Sequence, residues 1–356
     1  MRIKEIQSFS QNLALTKPYS IAYKTISDVE SAFLLITLEN GIVGIGAANP
    51  SEDVVGETPV ETLQNCQSDY FQDFVGKDIR HFRKLIEDVH TDFPKKPGTQ
   101  AIWDIALHDA FAKYLEVPVV AFYGQYFRSM PTSVTIGIMG VEDTLKEAAE
   151  YHDLGFKVLK VKTGDAVEVD IERIKKIHEQ HKNMIIRVDA NQGYNEKELL
   201  QFIKATDEVG VEVIEQPISV GQEHELTDVD EKIRKVLVAD ESLKNSTSAL
   251  QFAEASQRLF GIYNIKLMKC GGLMGAFEIA TIAKAANIDL FWGCNDESIV
   301  SITAALHAAF SCPHTKYIDL DGSFDLAEDL VTGGFTLDEG MLTINEKPGF
   351  GYELKP

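Results

Sequence analysis

Eight charged side chains close short apolar runs in this sequence: Lys160 and Lys162 in LKVKTG, Asp189 in RVDAN, Glu215 in VIEQP, Asp240 in VADES, Lys266 in NIKLMK, and Asp319 with Asp321 in IDLDG. A charge flanked by Val, Ile and Leu is costly to bury unless it is paired or bound to a metal. One such residue would mean little, but recurrence in run after run points to a polar site assembled from many segments. Asp189, Glu215 and Asp240 offer three hard oxygen donors, a set that holds a divalent cation while leaving positions for water and substrate. Mg²⁺ is the expected ion, with Mn²⁺ as its substitute. The plainer reading is a buried ionic cluster in which the acids only pair with the lysines.

A cation there would open a particular reaction. The proton on a carbon beside a carboxylate is hard to remove because the enediolate left behind carries two negative charges, and a positive ion offsets much of that cost. Lysine serves as the base once it is neutral. Crowding of Lys160, Lys162 and Lys266 with a cation in a dry pocket predicts lowered ammonium pKa values. With Lys162 and Lys266 on opposite sides of a substrate, one removes the proton and the other returns it, inverting the centre.

These residues need a frame that brings eight segments to one point. From SVTIGI through VLKVKTG, IIRVDAN, VEVIEQP, KVLVADES, GIYNIKLMK and DLFWGCN to YIDLDG there are eight short apolar runs. They recur roughly every 26 residues, room for one strand, one helix and two loops, which predicts a (β/α)8 barrel in the α/β class. The active site then lies at the C-terminal ends of the strands, where the charges stand. Alternation puts Lys160 with Lys162, and Asp319 with Asp321, on one face each. An open doubly wound sheet competes, but it would carry a glycine-rich phosphate turn after its first strand, which is missing. Before the barrel, strand-like alternation over Met1–Leu13 and Ser31–Ile45 precedes helical spacing from Val60 to about Leu115. The expected division is an N-terminal α+β capping domain over 1–129, the barrel over 130–322, and a tail over 323–356 whose GGFTL, MLTIN and GYELK return to the cap.

Composition limits the partners. With 34 basic and 55 acidic residues, a formal charge of −21 and no basic block, nucleic acid is excluded on electrostatic grounds. The N-terminus lacks a signal-peptide apolar run, and no stretch holds the eighteen or more apolar residues of a membrane span. Cys66, Cys270, Cys294 and Cys312 show no CxxC spacing, so a reducing cytoplasm is expected. A homo-oligomer is the expected assembly.

Taken together, the Lys-x-Lys, the DAN, EQP and ADES acids and the KLMKCGG segment resemble the enolase superfamily, in its muconate lactonizing enzyme subgroup. The likeness runs the length of the chain. Within the subgroup, the Asp319 and Asp321 pair resembles that of dipeptide epimerases of the L-Ala-D/L-Glu epimerase kind, which implies a dipeptide substrate whose α-ammonium these acids hold. The resemblance further implies that Thr135 contacts the substrate and that Lys160 binds its carboxylate. Lys24, in KPYSIAYKT, stands where members acting on Ala-Glu carry an arginine, and Asp296, in GCNDES, where they carry an apolar residue. A carboxylate at 296 disfavours a Glu side chain, although Lys24 and Asp296 could also neutralise each other. The expected substrate is therefore Ala-Xaa with a neutral, hydrophobic or basic Xaa. A cycloisomerase or an o-succinylbenzoate synthase would share the lysines and acids, but neither has an ammonium for Asp319 and Asp321. A non-catalytic binding barrel would normally have lost a base or a ligand. A histidine-dependent racemase would need His307 or His314, which the spacing assigns to an amphipathic helix and the turn after it.

Overall fold

Three long strands, β1 (Ile3–Ile21), β2 (Lys24–Leu38) and β3 (Val43–Ala48), make an antiparallel sheet in chain order. The structure, a computed structural model, describes residues 1–21, 24–254 and 258–355, and of residues 17–21 and 24–27 only the backbone. The β1–β2 ladder continues past the alternating segments through pairs such as Ala14 with Asp28 and Ser20 with Thr25. Main-chain pairing needs no apolar alternation once the inner half of a hairpin is anchored.

The helices are α1 (Glu52–Val55), α2 (Pro59–Cys66), α3 (Phe82–Asp92), α4 (Pro97–Tyr114), α5 (Val120–Tyr123), α6 (Val141–Asp153) and α7 (Val167–Gln180). They continue as α8 (Glu196–Ala205), α9 (Glu231–Arg234), α10 (Ser246–Glu254), α11 (Leu267–Cys270), α12 (Leu273–Ala286) and α13 (Ile299–Phe310). Helix α4 is buried on nearly every side, with Trp103, Ile105 and Leu107 all inaccessible. It can lie so close to the sheet because β3 presents Gly44 and Gly46: a Cβ on Gly46 would run into the Ile102 carbonyl, and one on Gly44 into Ala106 and Ala110.

After the short β4 (Ser129–Pro131) come β5 (Ser133–Ile136), β6 (Val158–Lys162), β7 (Ile185–Asp189), β8 (Ile214–Glu215), β9 (Leu237–Ala239), β10 (Ile262–Ile265), β11 (Asp289–Trp292) and β12 (Thr315–Ile318). These last eight pair in parallel in chain order, and a parallel bridge between Thr132 and Ile318 joins the ends of the ring. The barrel expectation holds, strand for strand. Its floor is a separate apolar layer of Val213, Val238, Ile262, Phe291 and Tyr317. The guanidinium of buried Arg187 lies 5.4 Å from the Phe291 ring centre and 5.1 Å from that of Tyr317, while donating to the Ile318 carbonyl.

The tail forms β13 (Val331–Gly333), β14 (Phe335–Asp338), β15 (Met341–Ile344) and β16 (Tyr352–Leu354). β15 pairs with β4, whereas Phe350 N–H donates to Asp109 and the Tyr352 hydroxyl to the Ile45 carbonyl of the N-terminal unit. Helix α13 departs from expectation. Val300 through Phe310 are all buried, so it is apolar on every side rather than amphipathic. His307 in it is fully buried, its Nδ1 accepts from Val120 N–H, and burial pushes its pKa down to about 3. Among the described residues no helix is long and apolar enough to cross a membrane.

The close approach of α4 to β3 sets an expectation. Gly46→Ala should lower unfolding free energy by about 1–3 kcal/mol, read from urea melts; an unchanged midpoint would show that the interface has slack.

Candidate active site

Strand register brings the charges together. Lys162 pairs with Asp189, and Asp189 with Glu215, as direct neighbours across β6, β7 and β8. Asp240, Lys266 and Asp319 each follow immediately after β9, β10 and β12. β6 and β10 are four places apart in a ring of eight, so Lys162 and Lys266 rise from opposite walls with the three acids between. Lys162 Nζ donates to Asp189 Oδ2 at 2.7 Å and to Asn191 Oδ1 at 3.0 Å. Lys266 Nζ lies 2.9 Å from Asp240 Oδ2.

Lys160, deeper and almost wholly buried, is the hub. Its Nζ lies 3.1 Å from Asp189 Oδ2, 2.8 Å from Glu215 Oε2 and 2.8 Å from Asp319 Oδ2. Among the described residues no three acidic, histidine or cysteine side chains are already drawn around one point, because these ammonium groups stand between them. The donors nevertheless fit a hard cation. Glu215 Oε2 is buried without a hydrogen bond, the Lys160 ammonium being near it only as an ion-pair neighbour, and Glu241 Oε2 nearby is likewise unsatisfied. Asp189, Glu215 and Asp240 supply oxygen donors only, the chemistry that Mg²⁺ selects.

Proton affinities follow from burial and crowding. Burial, then the Asp189 charge, pushes the Glu215 carboxyl up to about 8. Burial also raises Asp189, but Lys162 and Lys160 outweigh it and hold that carboxyl below the usual range. Asp240 is likewise held low, Lys266 and Lys269 overcoming its burial. Burial pulls the Lys266 ammonium down, yet Asp240 and Glu215 more than reverse this and raise it, and Lys160 is raised in the same way by Asp319, Glu215 and Asp189. At Lys160 and Lys266 the neighbouring carboxylates outweigh the neighbouring ammonium groups, and a cation bound among those carboxylates would act in the opposite direction.

At the opposite side, Asp319 and Asp321 have different surroundings. Asp319 is taken up, receiving Ser133 Oγ at 2.6 Å as well as Lys160. Asp321 accepts the Thr135 N–H on Oδ2 at 2.8 Å and a hydrogen bond from the Thr135 side chain, and the Cys294 thiol lies 3.9 Å from its Oδ1. Burial and the Asp319 charge push Asp321 up to about 7. Thr135 thus holds Asp321 through both main chain and side chain, and of the two acids Asp321 is the less fully engaged. Asp296 lies in the loop after β11, tied to the N-terminal unit by Asn49 Nδ2 donating to its carbonyl at 2.7 Å. The Lys24 side chain lies outside the described residues. Ser51, Val54 and Val55 of the α1 segment line a narrow cavity with Asp240, Lys266, Met268, Lys269 and Asn295.

Several site residues escaped the sequence reading. Asn264 Nδ2 donates to Glu215 Oε1 at 2.7 Å. It precedes Lys266 by two on the same strand, so the alternation that paired Lys160 with Lys162 would have found it. Gln216 ties two strands together, accepting the N–H groups of Asp240 and Ser242 on Oε1. Lys269 Nζ donates to the Asp240 carboxylate, the Asp240 carbonyl and the Asn264 carbonyl. It sits on the single turn α11, where no strand period marks it.

The fold and site together define a (β/α)8 barrel that sets two opposed lysines beside a cluster of carboxylates. Residues 3–124 match the mandelate racemase / muconate lactonizing enzyme N-terminal domain, and residues 143–356 match the enolase C-terminal domain-like family. The chain belongs to that family. An L-Lys-D/L-Arg epimerase of Desulforapulum autotrophicum is 50% identical to it, over 99% of both chains. The crystal structure of a dipeptide epimerase from Methylococcus capsulatus, complexed with Mg and the dipeptide L-Arg-D-Lys, superposes with a TM-score of 0.96 at 45% identity, over 99% of both chains. A dipeptide epimerase from Enterococcus faecalis, complexed with Mg and L-Leu-L-Tyr, gives a TM-score of 0.92 at 31% identity over 99% of this chain and 100% of that one.

Because Asn264 fixes one oxygen of Glu215, Asn264→Ala should weaken Mg²⁺ binding by about 10- to 100-fold. Calorimetric titration of the folded variant measures this, and unchanged affinity would assign Asn264 to packing alone.

Proposed function

We propose that this chain is a Mg²⁺-dependent dipeptide epimerase that inverts the α-carbon of the C-terminal residue of dipeptides carrying basic side chains. The observation that carries the reading is the opposition of Lys162 and Lys266 across three inward carboxylates. The epimerases resembling it supply the substrate class, and the Lys-Arg specificity of one and the bound L-Arg-D-Lys of another narrow the Ala-Xaa expectation to basic residues at both positions. Asp296 supports that choice, as do Glu52 and Asp53, exposed beside the residues of α1 that line the mouth.

Asp189, Glu215 and Asp240 would hold the ion, whose charge, when bound, favours build-up of negative charge on the substrate carboxylate. Asp321 binds the α-ammonium and so fixes one end of the dipeptide. Lys160 compensates the charge of Asp189, Glu215 and Asp319 and lies near the carboxylate end. One of Lys162 and Lys266 takes the α-proton as a neutral amine while the other, as an ammonium, gives its proton to the opposite face. The α-carbon loses one C–H bond and gains another, and the lysines reset by exchange with solvent. Asp240 holds Lys266 protonated, and a cation held at that carboxylate would weaken the hold. Cycloisomerase chemistry on the same scaffold gives Asp321 no ammonium to meet. The limits 1–129, 130–322 and 323–356 are proposed for the three parts. Four free thiols among the described residues fit the cytoplasm, and a homo-oligomer is the proposed assembly.

The test is incubation with Mg²⁺ and a dipeptide library in D₂O, read by mass spectrometry. Deuterium should enter the α-carbon of the C-terminal residue, first in dipeptides of Lys and Arg, and Lys162→Ala and Lys266→Ala should each abolish inversion. Reaction of non-peptide acids alone would overturn the assignment. Asp296→Asn should raise KM for Lys- and Arg-containing dipeptides by about 10-fold, the loss of one charged contact, and leave neutral dipeptides unaffected; equal effects on both would remove Asp296 from specificity.

A further inference from the structure

Two buried ionic groups outside the mouth each grip the backbone that carries one of the lysines. Asp104, on α4 of the N-terminal unit, is fully buried and accepts the N–H groups of Leu273 on Oδ1 and Met274 on Oδ2, both at 3.0 Å. Behind it, His108 Nδ1 lies 2.8 Å from the Asp104 carbonyl, its hydrogen-bond partner, and 2.9 Å from Asp104 Oδ1, while His108 Nε2 lies 2.7 Å from the Tyr123 hydroxyl. A carboxylate only accepts, so Nδ1 carries the proton and Nε2 accepts from Tyr123. The N–H groups held are the first two of α12, which follows Lys266 through the single turn α11. The Lys266 carbonyl accepts from Lys269 N–H, and Gly271 and Gly272 N–H both close on the Leu267 carbonyl. His90 Nε2 lies 3.0 Å from the Gly271 carbonyl, and Gly272, at φ 97°, packs so tightly that a Cβ there would strike the Asp104 side chain.

Across the barrel, Arg173 on α7 is buried and does the corresponding work. Its Nη1 donates to the Lys162 carbonyl at 2.8 Å, its Nη2 to the Gly137 carbonyl at 2.7 Å and its Nε to Thr144 Oγ1 at 2.9 Å. Asp170, paired with Arg173 at 3.3 Å, accepts Gly164 N–H and the Tyr194 hydroxyl, so the loop leaving β6 is fixed on both sides. A guanidinium holding two carbonyls at strand ends costs burial energy that packing alone would not require.

We propose that Asp104 and Arg173 are positioning residues, Asp104 for Lys266 and Arg173 for Lys162, so that each base is aligned independently by its own buried network. The inference rests on the two-lysine reading above. Independence gives it a signature, because loss of one base stops exchange of the epimer whose proton that base faces and leaves exchange of the other. Misplacement by about an ångström far from the chemistry costs on the order of 100-fold, so each variant should resemble a weakened form of its own lysine variant.

The experiment follows α-proton exchange in D₂O, with Mg²⁺, on the separate L-Arg-L-Lys and L-Arg-D-Lys epimers. Wild type, Lys266→Ala, Lys162→Ala, Asp104→Asn, Tyr123→Phe and Arg173→Lys are compared. Asp104→Asn should slow, by about 10- to 100-fold, the same epimer that Lys266→Ala silences, with the other epimer within about twofold. Tyr123→Phe, which removes only the outermost hydroxyl, should bias the same epimer more weakly and keeps the test open if Asp104→Asn fails to fold. Arg173→Lys should bias the opposite epimer. Equal slowing of both epimers in variants that melt like wild type, or no slowing, would overturn the positioning role. If wild type exchanges neither epimer of any dipeptide, the epimerase reading itself fails.

Discussion

Buried negative charge is the constraint on which this structure turns. Asp189, Glu215, Asp240 and Asp319 are buried at one end of a barrel whose walls are Val, Ile and Leu, where water cannot neutralise them, and half-buried Asp321 stands beside them. Lys160 answers three of the five at once, which is why it stands at the hub. Lys162, Lys266 and Lys269 divide Asp189 and Asp240 between them. Even so, Glu215 keeps an oxygen without a hydrogen bond and a raised pKa. The cluster is therefore short of positive charge in a place that oxygen-loving cations fit, and this separates it from a self-sufficient structural ion network.

The rest of the fold sets where those charges can go. Parallel register makes Lys162, Asp189 and Glu215 neighbours without any loop having to be ordered for the purpose. Asn264 and Gln216 then immobilise the acids from behind, as outer-shell groups do around metal ligands. The N-terminal unit contributes more than a cover: α1 walls the mouth, Asn49 holds the loop bearing Asp296, and α4 fastens the start of α12, which follows Lys266 through α11. Tail residues close the arrangement, since Asp329 accepts Ser298 Oγ and Ile299 N–H at the start of α13, directly after that same loop.

Much of this was legible in the sequence because a charged residue in an apolar strand is improbable without a function, and period-two alternation says which way it points. That logic reached Lys160, Lys162, Asp189, Glu215 and Asp240, along with all eight strands. It missed Asn264, which obeys the same alternation but carries no charge to draw notice. It missed Lys269, Asp104 and Arg173 for a different reason: they lie on helices or turns, where contacts depend on packing between units distant in sequence. Helix α13 was misread as amphipathic because its small residues do not reveal that both of its faces are covered. Nor does the sequence give distances, which decide how strongly the carboxylates around Lys160 and Lys266 raise their pKa values before a cation offsets those charges.

The claim that the carboxylate cluster lacks positive charge has a direct consequence in proton counts. With its carboxyl pushed up to about 8 by burial and the Asp189 charge, Glu215 must surrender any proton it holds in order to ligate a cation. Titrating Mg²⁺ into the protein at pH 7 in buffers of different ionisation enthalpy measures that proton. The account predicts release of about one proton per ion bound, with affinity rising towards pH 8 and levelling above it. Binding with no proton release and no dependence on pH would contradict it.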